Sequence, residues 1–535
     1  MSNLIMDNLP ALQVAVPLVT APLCALFGIR RLSWALSMFG AAAAFVCSML
    51  LFSQTLDGSI ISYAMGNWRP PLGIEYRVDI VNAFVLLLIS GTALFVLPYA
   101  YRSVDAEIER TQQPYFYTAF MLCFSGLLGV TITGDAFNTF VFLEISSLST
   151  YTLVALGAVR DRRALTAAYN YLIMGTIGAT FFVIGIGFLY MLTGTLNLVD
   201  LAERIAIMGD NRTLRVAFTF IFLGLALKLA MFPLHMWLPN AYAYAPSAVT
   251  AFLASTATKV AFYVMLRFMF TVFGFDYIFQ AHTLTLVVLP LALISMFLMS
   301  TVAVFQHDLK RLLAYSSVAQ IGYMLLGLAL QNQMGLTAAI IHLFNHALAK
   351  GALFFAVGCF VLRLGNSQIS SLAGIGRQMP WTSACFVIGG LSLIGVPLTV
   401  GFISKVYLLQ AAFERDGWAL GLVIAILIGL SSLLAVIYIW RFVEQAYLKE
   451  APAHRKVTEA PLSMRLATGG LALLCLFFGT YADLTATAAS QAASELLRDH
   501  GGATMDADLL PQQGTEPQPK LGSGGFAIPA TRQTP

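Results

Sequence analysis

Apolar runs separated by short polar stretches occupy most of this chain. They fall near residues 11–29, 33–55, 78–101, 115–133, 136–158, 165–193, 216–237, 246–272, 282–305, 309–330, 335–363, 383–411, 417–446 and 462–485. Each is close to or above the roughly 20 residues that carry a helix through a hydrocarbon core about 30 Å thick. The pattern predicts an all-α polytopic membrane protein with about fourteen transmembrane helices.

Composition agrees with that reading and narrows it. The chain is 59% hydrophobic and 10% charged, against about 25% charged in ordinary soluble domains. Its net charge of +4 is small and spread over short turns, so a nucleic-acid partner has no electrostatic footprint. Cys24, Cys47, Cys123, Cys359, Cys385 and Cys475 each sit in apolar sequence with no CxxC pair, which points to small core residues rather than a metal site or a disulfide framework. The first apolar run, with Asp7 before it and Arg30 and Arg31 after it, reads as a retained span and not as a cleaved leader.

Basic residues set the expected orientation. One set of alternate loops carries sixteen Lys and Arg, including Arg160, Arg163, Lys310 and Arg311, and the other carries six. The positive-inside rule puts the richer set in the cytoplasm and both termini outside. The segment LNLVDLAERIAIMGDNRTLR is too charged to cross and has helical periodicity, so it is expected along the outer surface. From about residue 488 the composition turns to Gln, Gly, Pro, Asp and Ser, which predicts a disordered tail or a strap on a partner.

Two spans carry an internal proline in similar settings, Pro233 in ALKLAMFPLHMWLP and Pro397 in SLIGVPLTVGFISK. Proline removes a backbone donor and breaks the helix, which at membrane depth is tolerated where protein or a water-filled cavity satisfies the freed groups. The breaks fall in spans seven and twelve. Five is an odd offset, so spans 4–8 and 9–13 read as two inverted five-helix repeats, with two unrelated kinks as the alternative. The division that follows is an N-terminal three-helix segment (1–110), a first repeat (111–275), a second repeat (276–448), span fourteen (449–487) and the tail (488–535).

Charge within the spans is sparse and unbalanced. Glu144 lies in span five, Lys228 in seven, Lys259 in eight, His342, His346 and Lys350 in eleven, and Lys405 in twelve. Ionisable groups at this depth cost roughly 2.5–3.5 kcal/mol each and mark ion or proton routes by default. Four lysines face one acid, so salt bridging alone cannot neutralise them, and three must be hydrated or uncharged part of the time. His342, His346 and Lys350 stand one above another on a helix face beside Asn345. That stripe fits a water-linked proton chain, or a polar packing seam. The two histidines lack a third metal ligand nearby, and no nucleotide or haem motif occurs, so no metal or other cofactor is expected. His235, just past Pro233, is a further relay candidate or simply a polar residue at a span end.

The ordered stretches FLEISSLSTYTLVAL, LGLALKLAMFPLHMWLPNAYAYAPSAVTAFLASTATKV, QHDLKRLLAYSSVAQIGYM, HLFNHALAKGALF and GVPLTVGFISK resemble the antiporter-like membrane subunits of respiratory complex I and of the Mrp multi-subunit cation/proton antiporters, from about residue 80 to 450. The resemblance implies two inverted repeats, discontinuous helices seven and twelve, and a hydrated polar axis. It pairs Glu144 with Lys228, puts the bridging lysine at Lys259, the central group at Lys350 with His342 and His346 near it, and the terminal group at Lys405. The stretch SAVTAFLASTATKVAFYVMLR looks most like the D subunit of the Mrp antiporters, with a complex I or membrane-bound hydrogenase subunit as the alternative. It also implies a multi-subunit Na+/H+ (or K+/H+) antiporter in a bacterial inner membrane, with other membrane subunits as partners. Asn240 departs from the family, which often has Asp there.

Overall fold

The computed structural model describes residues 6–498 apart from Gly417 and His454, and the expected tail beyond 498 lies outside the described residues. The leading helices are α1 (Leu9–Phe27), α2 (Arg30–Thr55), α3 (Ile80–Glu107), α4 (Gln113–Ile132), α5 (Ala136–Ala155) and α6 (Arg163–Thr193). Between α2 and α3 lies a hairpin that the hydrophobic pattern does not show, β1 (Ile61–Ala64) paired antiparallel with β2 (Glu75–Val78). Two strands of four residues make too short an alternation to register beside the long apolar runs.

Asp79 begins α3 with a reciprocal cap. Its carboxylate accepts from the Val81 and Asn82 amides, and the Asn82 side chain accepts from the Asp79 amide. Such a cap satisfies donors that would otherwise be orphaned at a buried helix start.

The charged segment after α6 forms α7 (Leu198–Met208), which buries Leu198, Leu201, Ala202 and Ile205 and exposes Glu203 and Arg204. This is the amphipathic surface helix that its periodicity predicts.

Predicted span seven is split into α8 (Arg212–Leu229) and α9 (Trp237–Tyr244), and predicted span twelve into α17 (Pro380–Ile394) and α18 (Val400–Asp416). Among the described residues twelve helical stretches are long and apolar enough to cross a membrane, and neither split span is one of them. Twelve of the predicted spans therefore stand as long helical stretches, and the two proline-containing ones are each a pair of shorter helices. The first half-helix of each break ends on a left-handed residue, Ala230 (φ 60°) or Gly395 (φ 87°), after which the next amide reaches five residues back, Met231 to Ala226 O (2.9 Å) and Val396 to Leu391 O (3.1 Å), and the second break holds another left-handed residue, Leu398 (φ 71°). Glycine adopts this conformation freely, whereas alanine in it costs about 1–3 kcal/mol, a strain that packing around Ala230 must offset.

Predicted span eight is interrupted too. It comprises α10 (Ser247–Ser255), a non-helical Thr256 (φ −124°, ψ −56°), α11 (Ala257–Leu266) and a π turn over Arg267–Val272. No proline marks this third break. Beyond it come α12 (Ile278–Thr283), α13 (Leu289–Val304), α14 (Leu309–Ala329), the unbroken α15 (Gln333–Leu364), the short α16 (Ile375–Gln378), α19 (Trp418–Val443) and α20 (Leu462–Thr480). A further helix, α21 (Asp483–Leu497), follows α20 and buries Ala486, Ala489, Ala492 and Ala493. Ordered helix thus continues past residue 488, where composition alone starts the tail, because small alanines let this weakly apolar segment pack closely.

One device occurs twice. Asp135 caps α5 and forms an isolated antiparallel bridge with Asn197, and Asp308 caps α14 and forms the same bridge with Gln368. The flanking amides match as well, Leu198 to Gly134 O and Ile369 to His307 O, both 2.9 Å.

Candidate functional site

The three interrupted helices and α15 position the ionisable groups. Lys228 is the last residue but one of α8. Its Nζ donates to Glu144 Oε1 on α5 (3.2 Å) and to Ser147 Oγ one turn along (2.7 Å). Lys259, buried, turns back across the break and donates to the Ala254 carbonyl of α10. Lys405 on α18 reaches across the second proline break to the Leu393 and Ile394 carbonyls that end α17 (3.2 and 2.7 Å), and also donates to Ser432 Oγ (2.8 Å). Lys350, at 0% exposure, donates to the Leu313 carbonyl (2.8 Å) and to Ser316 Oγ, both on α14.

This arrangement resolves the imbalance of four lysines against one acid. The last carbonyls of a helix carry partial negative charge and lack intrahelical donors. The breaks therefore place carbonyl acceptors beside Lys259 and Lys405 where no carboxylate is available. Hydration or neutrality is not the only way for such lysines to be accommodated.

The stripe on α15 faces these groups. His342 Nδ1 lies 2.9 Å from Ser404 Oγ on α18, and the Asn345 amide donates to Val400 O. The His342 and His346 rings stack with centroids 6.1 Å apart, and Tyr323 bridges His342 (5.5 Å) to the Lys405 ammonium (4.9 Å above its ring). Both His346 ring nitrogens, His342 Nε2 and Ser255 Oγ are buried without a hydrogen-bond partner among the described residues, the pattern of polar groups that ordered water normally satisfies. Gly351 lets α10 approach α15, because a Cβ there would stand 2.9 Å from Ser255 Oγ. Lys259, His346 and Lys350 are thereby brought together around the α10 break, with His342 and Lys405 beyond.

Two expected site residues sit differently. Glu144 is not enclosed, and a quarter of its side chain is open at the lateral surface of α5 beside exposed Val141 and Leu148. His235 is buried in the first proline break, where its described ring contacts are Phe232 (5.5 Å) and Tyr315 (6.4 Å). Asn240 accepts from Arg311 Nη2 (2.6 Å). Counting from Ala230 and Gly395, which end the first half-helices, Asn240 occupies in α9 the position that Lys405 occupies in α18. Among the described residues no group of three His, Cys, Asp or Glu is placed to hold a metal ion.

Sequence pattern alone missed charges at both ends of α3. Asp79 forms a buried ion pair with Arg267 in the π turn that follows α11. Glu107, at the other end, accepts from the Ser247 amide (3.0 Å) and hydroxyl (3.2 Å) at the start of α10 and pairs with Arg160 (3.3 Å). The helix pair carrying Lys259 is thus fastened to α3 by a carboxylate at each end. Lys310, counted among the loop charges although it stands at the start of the apolar run 309–330, is buried in the first turn of α14. The one available signal was an acid at each end of an apolar run, which also fits ordinary solvated loop ends.

Residues 133–431 match the family described as NADH:quinone oxidoreductase/Mrp antiporter, TM. The N subunit of the NADH-quinone oxidoreductase of Desulforudis audaxviator is 40% identical over 85% of this chain and 89% of its own length. The D subunit of the Na(+)/H(+) antiporter of Alkalihalophilus pseudofirmus is 31% identical over 84% of this chain and 90% of its own. A chain of the Mrp complex from Dietzia sp. DQ12-45-1b superposes with a TM-score of 0.84 at 25% identity, covering 93% of this chain and all of that one. The family match, these relatives and the shared fold together make this chain a member of the NADH:quinone oxidoreductase/Mrp antiporter transmembrane family.

Proposed function

We propose that this chain is the proton-translocating membrane subunit of a multi-subunit monovalent cation (Na+ or K+)/proton antiporter of the bacterial plasma membrane, working with other membrane subunits. The observation that carries the reading is a row of four covered lysines, three of them held by backbone carbonyls, linked by two stacked histidines and opposed by one partly open acid. An ammonium held by neutral carbonyls can release its proton without leaving a buried anion behind, which suits a relay better than a rigid salt bridge does.

In this reading Glu144 and Lys228 act as a switch. When the pair loosens, the positive charge of Lys228 disfavours a second ammonium at Lys259 and drives a proton toward Lys350, and from there toward Lys405 past His346 and His342. His235 is a further relay group at the first break. The two duplicated Asp-capped bridges support division into repeats 111–275 and 276–448 of opposite orientation, and the loop charge bias supports termini on the outer side.

The 40% identity to an oxidoreductase N subunit favours a second reading, a proton-pumping subunit of a redox-driven complex. Purification with the native partners separates the two. Small membrane subunits and sodium-dependent dequenching of a pH dye in inverted vesicles support the antiporter. Copurifying iron–sulfur or quinone-reducing proteins, with dequenching driven only by an electron donor, support the pump. Wild-type behaviour of both Glu144→Ala and Lys228→Ala in either setting excludes translocation through this row.

A further inference from the structure

Outside the row, one cleft ends on buried charge. Where the ends of α3, α5, α9 and α15 meet the start of α14, a space of about 270 Å3 has the exposed residues Arg160, Arg163, Asn366 and Gln368 at its rim and the buried residues Glu107 and Lys310 in its wall. It lies on the side bearing the basic loops. Glu107 is fully engaged by Ser103, Ser247 and Arg160. Lys310 is not, because among the described residues its one hydrogen bond goes to the Ala245 carbonyl (3.0 Å), which uses one of its three N–H donors.

Lys310 also points the cleft at the row. It lies on the same helix as Leu313 and Ser316, the two groups that hold Lys350. At 1.5 Å per residue, Ser316 is only about 9 Å deeper along α14 than Lys310. The cleft wall around Lys310 carries both signs of charge, Glu107 and Asp308 with Arg160 and Arg311.

We propose that this cleft is the aqueous mouth through which the row exchanges protons with the basic-loop side, and that Lys310 is the group that loads Lys350. The Lys310 ammonium gives one proton to water leading to the Lys350 amine. Lys350 becomes the ammonium, and the Lys310 amine takes a replacement proton from hydronium in the cleft. The assignment rests on the proton-translocating reading of the chain.

The test uses the chain with its full partner set in inverted vesicles. Lys310→Arg keeps the charge and the donors but holds its proton at any working pH. Both Lys310→Arg and Lys310→Ala are expected to lower the initial rate of sodium-dependent dequenching about 100-fold at equal complex content, the low side of what a proton-transferring group contributes. A lysine that only steadies the Ala245 carbonyl predicts instead that Lys310→Arg stays within about twofold of wild type, which overturns the proposal. Asn366→Cys on an otherwise unaltered chain supplies a second arm, since the native cysteines are all buried. A membrane-impermeant cationic thiol reagent is expected to label it in inverted but not right-side-out vesicles and to slow transport. Absent labelling, labelling from the other side or labelling without effect sinks the idea even if the lysine variants fail to assemble. Glu144→Ala is run in parallel: if it transports normally, the translocating reading itself fails, whereas its inactivity beside a normal Lys310→Arg removes the mouth alone.

Discussion

Lys228 Nζ stands 3.2 Å from Glu144 Oε1, yet the two side chains are unequally covered, the lysine 7% exposed and the glutamate 23%. The acid therefore meets the surroundings of the subunit first, so a change at the lateral face of α5 reaches the row through this pair. Glu144→Gln keeps shape and hydrogen bonding but removes the charge. It is expected to lower transport by the assembled complex about 100-fold, measured as initial dequenching rate against complex content in the same vesicles, with Lys228→Ala giving a similar loss. A rate within threefold of wild type for either variant rules out the switch.

Lys405 tests whether the row needs mobile protons or only positive charge. Arginine can bond the Leu393 and Ile394 carbonyls but does not deprotonate. Lys405→Arg is expected to melt within about 1 °C of wild type, because the net change at a retained charge and hydrogen bond is small, while transport is lost. Retained transport assigns Lys405 a structural role.

Gly401 sits where α17 and α18 touch, and a Cβ there would lie 1.8 Å from the Ser392 carbonyl oxygen, a backbone atom. Gly401→Ala must therefore separate the half-helices that bring Lys405 to the Leu393 and Ile394 carbonyls. A loss of about 1–3 kcal/mol is expected from overpacking, read as a lower midpoint in thermal unfolding of the detergent-purified complex. An unchanged midpoint contradicts the close approach.

The buried Asp79–Arg267 pair predicts a non-additive result. Either Asp79→Asn or Arg267→Met leaves an uncompensated buried charge, at a cost of about 3–5 kcal/mol. The double variant removes both charges and is expected to recover more than half of that loss. Equal or additive losses would mean that each residue acts separately.

Several of these positions were readable from the chain and several were not, for definite reasons. The spans follow from apolar runs long enough to cross a bilayer, and seven ionisable groups stand out because they lie away from the span ends, where the other charges sit. Pro233 and Pro397 announce their breaks because proline lacks the donor that a helix needs. Thr256 announces nothing. Its break lies beside the close approach of Ser255 to Gly351, a contact between residues distant in sequence. Asp79, Glu107 and Lys310 read as loop-end charges, since burial at a span end is decided by what lies opposite. The hairpin at 61–78 and the helix reaching Leu497 were invisible for a similar reason, being short or weakly apolar elements that owe their form to the surface beneath them.

By itself the sequence determined the bundle, its two proline-broken helices, the loop charge bias and the scarcity of charge that singles out the row. Those features depend on local composition and on the energetic cost of polar groups in hydrocarbon, which act residue by residue. Only the tertiary structure decided what the excess lysines bind, that Glu144 lies at the flank rather than the centre, and that α3 fastens both ends of the helix pair carrying Lys259. Those are properties of surfaces brought together across hundreds of residues. A broken helix offers its carbonyls only to a side chain that the rest of the fold has already placed beside it.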